Sequence, residues 1–98
     1  MQIKKTVEND TVTYKIYGKI DTNTSPELQK EIVNPQEGIK NLILDLEDVD
    51  YISSAGLRVL LLANQNMSKI GEMKVINASE NVKGVFEITG FDDILKTE

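Results

Sequence analysis

Apolar and polar residues alternate along Thr11 to Tyr17, with Val12, Tyr14 and Ile16 on one side and Thr13, Lys15 and Tyr17 on the other. A period of two predicts a half-buried strand. Gln2 to Glu8 reads as a strand as well, and Asn9-Asp10 between them supplies turn residues, so an antiparallel hairpin is predicted to open the chain. After Gly18 the period changes. Ser25 followed by Pro26 and Glu27 is a helix start, because proline is tolerated in a first turn whose N–H groups have no helical acceptor. Leu28, Ile32 and Val33 give this helix a short apolar stripe before Asn34-Pro35 ends it.

The run Leu42 to Leu44, flanked by Ile39 and Leu46, is short and apolar enough to predict a strand buried on both faces, as in parallel sheets. Asp45, Glu47, Asp48 and Asp50 crowd its end and read as a solvated acidic loop. From Ser54 to Ile70 the residues Gly56, Leu60, Ala63, Met67 and Ile70 recur at helical spacing, which predicts the longest helix, stopped by Gly71. Glu72 to Ala78 reads as a strand. Asn81 to Thr89 reads as a short helix, with Val82, Val85, Phe86 and Ile88 as its apolar residues and Gly90 closing it; the last segment, FDDILKTE, adds an edge strand. An opening hairpin followed by alternating strands and helices describes an α/β single domain, a mixed β-sheet with helices packed on it.

Composition narrows the chemistry. The 98 residues carry 11 basic and 16 acidic side chains, and a net charge of -5 disfavours nucleic acid or anionic lipid as the main partner. There is no cysteine and no histidine, which removes thiolate metal sites, Ser-His and Cys-His nucleophile pairs and the usual general base near neutral pH. No glycine-rich phosphate loop is present, and the acidic residues from Asp45 onward lack the glycine and glutamate spacing of a calcium loop. No cofactor, metal or catalytic residue is therefore expected, and a hydrolase built on carboxylates alone has no support in the spacing. The opening MQIKKTVEND has no apolar signal-peptide core, and no stretch approaches the roughly 18 apolar residues of a membrane span, so a cytoplasmic protein with no membrane contact is expected.

One stretch exceeds structural need. In Ser53-Ser54-Ala55-Gly56, a single serine would suffice as the helix N-cap, and Gly56 would let the helix pack closely on the sheet. A second hydroxyl at the same helix end is well placed to carry phosphate, since free N–H groups and the helix dipole accommodate an added charge of about -1.5 to -2. Arg58, the only arginine, lies at i+4 from Ser54 and within reach of such a phosphate as an internal counter-ion.

The segment LILDLEDVDYISSAGLRVLLLANQNM resembles the central strand, loop and helix of bacterial anti-anti-sigma factors, the STAS domain family, whose pattern is an apolar strand, Asp-Leu, a short acidic stretch and then Asp-Ser-Ser/Thr-Gly-Leu. YGKIDTNTSPEL is similar to the family's Gly-x-Leu/Ile-Asp turn into its first helix, and VFEITGFDDIL to its late helix, Ser/Thr-Gly turn and closing strand. The likeness covers almost the whole chain. It implies an anti-sigma factor antagonist: unphosphorylated, such a protein binds an anti-sigma factor that is also a serine kinase of the histidine-kinase-like ATPase fold, and so frees a sigma factor. Phosphorylation breaks the complex, and a metal-dependent serine phosphatase restores it. Aligned on Gly56-Leu57, the phosphoserine falls on Ser54, with Ser53 as a rival acceptor because it replaces the family's aspartate. Ala55 replaces the family's second hydroxyl. The resemblance makes Asp21, Thr22, Asn23, Ser53, Ala55, Gly56 and Arg58 the partner-binding residues, although Asp21 equally suits a turn or capping role. A monomer is the expected state. The competing reading is a constitutive STAS interaction subunit, for example of a transport complex, in which Ser54 is only part of a helix cap.

Overall fold

A computed structural model describes all 98 residues, Met1 to Glu98. The elements in chain order are β1 (Gln2–Glu8), β2 (Thr11–Ile20), α1 (Ser25–Ile32), β3 (Asn41–Ile52), α2 (Ser54–Met67), β4 (Glu72–Ile76), α3 (Glu80–Thr89), a single 3₁₀ turn over Phe91–Asp93, and β5 (Lys96–Thr97). They form one five-stranded sheet in the order β1-β2-β3-β4-β5. β1 and β2 make the predicted antiparallel hairpin, with Asn9 at φ 57° in its turn, and every later pairing is parallel.

Each helical crossover carries the chain to the next strand in the same direction. Right-handed crossovers repeated in one direction put every helix on one face. Burial follows that rule: Val12, Tyr14 and Ile16 of β2, Leu42, Leu44 and Leu46 of β3, and Met73 and Val75 of β4 are buried. Their alternating neighbours Thr11, Thr13, Lys15, Asn41, Ile43, Asp45, Lys74 and Ile76 are half-exposed. β3 is therefore buried on one face, where its apolar run had predicted two.

β3 also extends through the acids read as a loop. Its pairing with β2 passes from Lys15↔Asp45 to Tyr17↔Asp48, and then from Gly18↔Val49 to Lys19↔Tyr51, so that at each shift β3 takes one residue more than β2. These bulges place Glu47 with Asp48, and Asp50 with Tyr51, as exposed consecutive pairs between buried Leu46, Val49 and Ile52. A strand that breaks its alternation twice loses the period by which a sequence announces it. Gly18, at φ 105°, carries β2 past its expected end at Tyr17 to Ile20. Lys15 spans the first shift, its ammonium 3.1 Å from Glu47 and 3.5 Å from Asp48.

The helix limits need smaller corrections. Thr24 is the N-cap of α1 and Ser25 its first residue. α2 ends at Met67, and Ile70, expected on its apolar stripe, lies in the following turn and is 43 % exposed. α3 begins one residue earlier than expected because Ser79 caps it, and its Ile88 is 89 % exposed rather than part of the core. Two bonds brace the layer: Tyr14 Oη donates to Glu31 O at 2.8 Å, and Asn66 Nδ2 donates to Val33 O at 2.7 Å. No helix is long and apolar enough to cross a membrane.

Candidate functional site

The parallel strands β2 and β3 finish together, with Ile20 opposite Ile52. The chain leaves β2 through the turn 21–24 and leaves β3 directly into α2, so the two exits lie side by side. Ser53 N donates to Ile20 O at 2.8 Å, which ties the start of α2 to the end of β2. Gly56 makes the close approach possible: a Cβ there would sit 2.6 Å from Ile20 Cγ2 and 2.8 Å from Ile52 Cγ1. The sequence-predicted residues from the first turn and from the two-serine stretch thus converge on one end of the sheet, where open α/β folds place their sites.

The two serines differ. Ser53 is the N-cap, extended at φ -89° and ψ 173°, and its Oγ accepts from Gly56 N at 3.2 Å. Its hydroxyl oxygen is committed to the helix start and its amide to Ile20 O at the end of β2. Ser54 is the first residue of α2, exposed, and its hydroxyl has no hydrogen-bond partner within the chain. Ala55 is half-buried beside it, Gly56 is buried, and Arg58 is exposed one turn further along.

Asp21 organises the neighbouring turn. Its Oδ1 accepts from Asn23 N at 2.9 Å and Thr24 N at 3.0 Å. Thr24 Oγ1 accepts from Asp21 N at 2.9 Å and donates to Lys19 O at 2.8 Å. Ser25 Oγ donates back to Asp21 O. The Thr24 amide first, then the Asn23 amide, the Thr24 hydroxyl and the charge of Lys19, hold the Asp21 carboxyl below the ordinary aspartate range, against the opposing effect of desolvation. Asp21 is thus a turn-forming residue, and the turn it builds displays exposed Thr22 and Asn23 at the end of the sheet from which α2 starts.

Two neighbours were not singled out from the sequence. Ser79 Oγ donates to Val49 O at 2.9 Å and accepts from Val82 N at 3.3 Å, so the hydroxyl that caps α3 also pins it to β3. Asn81 Nδ2 reaches Asp50 O at 3.5 Å. The signal for the cap was present, a serine followed by an acid just before an apolar helical pattern; its bond to Val49 is tertiary and leaves no local trace. Tyr51, 49 % exposed, adds an aromatic surface at the same end.

Chemically this is a face. None of the surface depressions is lined by Ser53 or Ser54. No group of three or more acidic side chains is arranged to hold a metal ion. A hydroxyl on a rigid helix end, flanked by an ordered turn and outside any cleft, is suited to being modified and to being contacted by a macromolecule.

Comparison with known proteins agrees with this architecture. The STAS domain family matches residues 2–98. The anti-sigma-B factor antagonist of Staphylococcus aureus is 32% identical over 101 residues, spanning 97% of this chain and 90% of that protein. An anti-sigma factor antagonist from Mycobacterium paratuberculosis superposes with a TM-score of 0.88 at 21% identity, covering 98% of this chain and 83% of that one. The Bacillus cell fate determinant SpoIIAA, in its phosphorylated form, superposes with a TM-score of 0.76 at 18% identity, covering 99% and 91%.

Proposed function

The chain belongs to the STAS domain family, and from that premise we propose that it is an anti-sigma factor antagonist working as a phosphorylation-controlled partner switch. Unphosphorylated, it binds an anti-sigma factor through the face formed by Asp21, Thr22 and Asn23 with Ser53, Ala55, Gly56 and Arg58, and a sigma factor is released. Phosphate on Ser54 blocks that binding. The anti-sigma factor is itself the serine kinase, of the histidine-kinase-like ATPase fold, and a metal-dependent serine phosphatase resets the switch. The exchange takes place in the cytoplasm between monomers of this chain and their larger partners, and needs no cofactor or catalysis from the chain.

The observation that carries this reading is the division of labour between the serines. Ser53 caps the helix, which leaves Ser54 exposed with an unengaged hydroxyl and no structural duty. A phosphate of about -1.5 to -2 charge at the first position of a helix is compatible with the folded domain, so its effect falls on whatever docks there. The face already carries Asp21 and Asp50, and the added charge disfavours an acidic or closely packed partner surface. Ala55, where the family has a second hydroxyl, leaves Ser53 as the one rival acceptor, and the Ser53 hydroxyl is engaged in the cap.

Intact mass and peptide mapping after incubation with ATP and extract of the native cells test the assignment. The expected result is one phosphate, on Ser54, absent in Ser54→Ala. In pull-downs of the anti-sigma factor, Ser54→Ala should bind like the unmodified protein and Ser54→Asp should bind at least about tenfold more weakly, a loss of roughly 1.4 kcal/mol. Equal binding by both variants together with no phosphate would overturn the switch in favour of a constitutive interaction subunit.

A further inference from the structure

We propose that Arg58 is an internal counter-ion for the phosphate on Ser54, an inference that rests on Ser54 being the modified residue. The guanidinium is exposed and makes no ion pair or hydrogen bond in the unmodified chain. Residues at i±3 and i±4 are the neighbours a helical side chain meets, and for Arg58 these are Ala55, Ser54, Leu61 and Leu62. Ser54 is the one polar residue among them. Direction matters as much as spacing, because helical side chains lean toward the N-terminus and a residue covers the turn before its own Cα. From position 58 an arginine can therefore reach a phosphate on Ser54. An arginine with a planar fork of donors suits a phosphate better than any other side chain, and no carboxylate competes for it at helical spacing.

The other charges at this end of the sheet act on the same group. Asp21 in the turn, Asp50 on β3 and Glu80 at the start of α3 oppose a dianion, and Lys19 at the end of β2 favours it. With Arg58 one turn away on the same helix, the phosphate keeps its second negative charge to lower pH. The modified state is thereby a defined arrangement, a phosphate held against α2, in place of a freely rotating group.

The test uses the full chain with phosphoserine incorporated during translation at position 54, so that it is independent of any kinase. Its second pKa is read by phosphorus NMR at low ionic strength. In Arg58→Ala it should rise by about 0.3 pH unit or more, the size expected of a helical ion pair. Arg58→Lys should recover part of the shift, and added salt should shrink it. Lys19→Ala removes the same charge from the same end but off the helix, and should move the pKa less. Coincident titrations of Arg58→Ala and the unsubstituted chain, or an equal rise in Lys19→Ala, would overturn the pairing. The switch itself stands or falls separately, by the mapping of phosphate onto Ser54.

Discussion

At Ser53 the chain is still extended, and one residue later it is helical. That single step decides which hydroxyl is available, because an N-cap oxygen must turn back to the amide three residues ahead, whereas the side chain of the first helical residue points away from it. The two residues should therefore separate in a stability measurement. Ser53→Ala removes the acceptor of the Gly56 amide and is expected to cost about 1 kcal/mol in urea unfolding. Ser54→Ala removes an unpartnered exposed hydroxyl and should stay within about 0.5 kcal/mol of the parent. A larger loss at Ser54 than at Ser53 would contradict the assignment of the cap. From the sequence the serines were equivalent candidates for that role; the resemblance favoured Ser54 as acceptor, and the backbone supplied a physical reason for the same choice.

Among the elements, α2 illustrates what periodicity conveys. Gly56, Leu60, Ala63 and Met67 were legible as its inward stripe, and all four are buried. Close packing on the sheet was the expected reason for Gly56; what spacing could not show is which residues it packs against. The answer lies in β2 and β3, whose last isoleucines fill the space a side chain would need. Gly56→Ala should leave the helix propensity improved and the packing worse, for a net loss of about 1–3 kcal/mol, seen as a lowered thermal midpoint by circular dichroism. A midpoint equal to or above the parent's would mean that α2 is free to move away from the sheet. β3 was the least legible element, since its two bulges put exposed acids at consecutive positions and so imitate a loop.

Across the whole molecule, the consistent direction of the crossovers leaves one sheet face without helices. The open face carries Thr11, Thr13, Lys15, Asn41, Asp45 and Lys74 around half-exposed Ile43. Adjacent residues of one strand should then respond differently. Leu44→Ala, under the helices, is expected to cost about 2–5 kcal/mol. Ile43→Thr, on the open face, keeps the β-branched shape and should cost about 1 kcal/mol or less. Comparable losses at both positions, measured by chemical denaturation, would mean that the second face is covered as well.

The chain's order of residues was enough to determine the hairpin, the alternation of strand and helix, the inward stripes and the presence of two hydroxyls at a helix start. These are local properties, set by side-chain period, turn chemistry and capping. Tertiary structure decided the rest. Which face of β3 is buried depends on the hand and direction of the crossovers, and the fate of the acidic stretch depends on register against β2. The placing of the Asp21 turn and the start of α2 at one end of the sheet depends on Ile20 and Ile52 ending opposite each other. Each of these is a relation between segments distant in the chain, and a one-dimensional pattern carries no term for the pairing that brings them together.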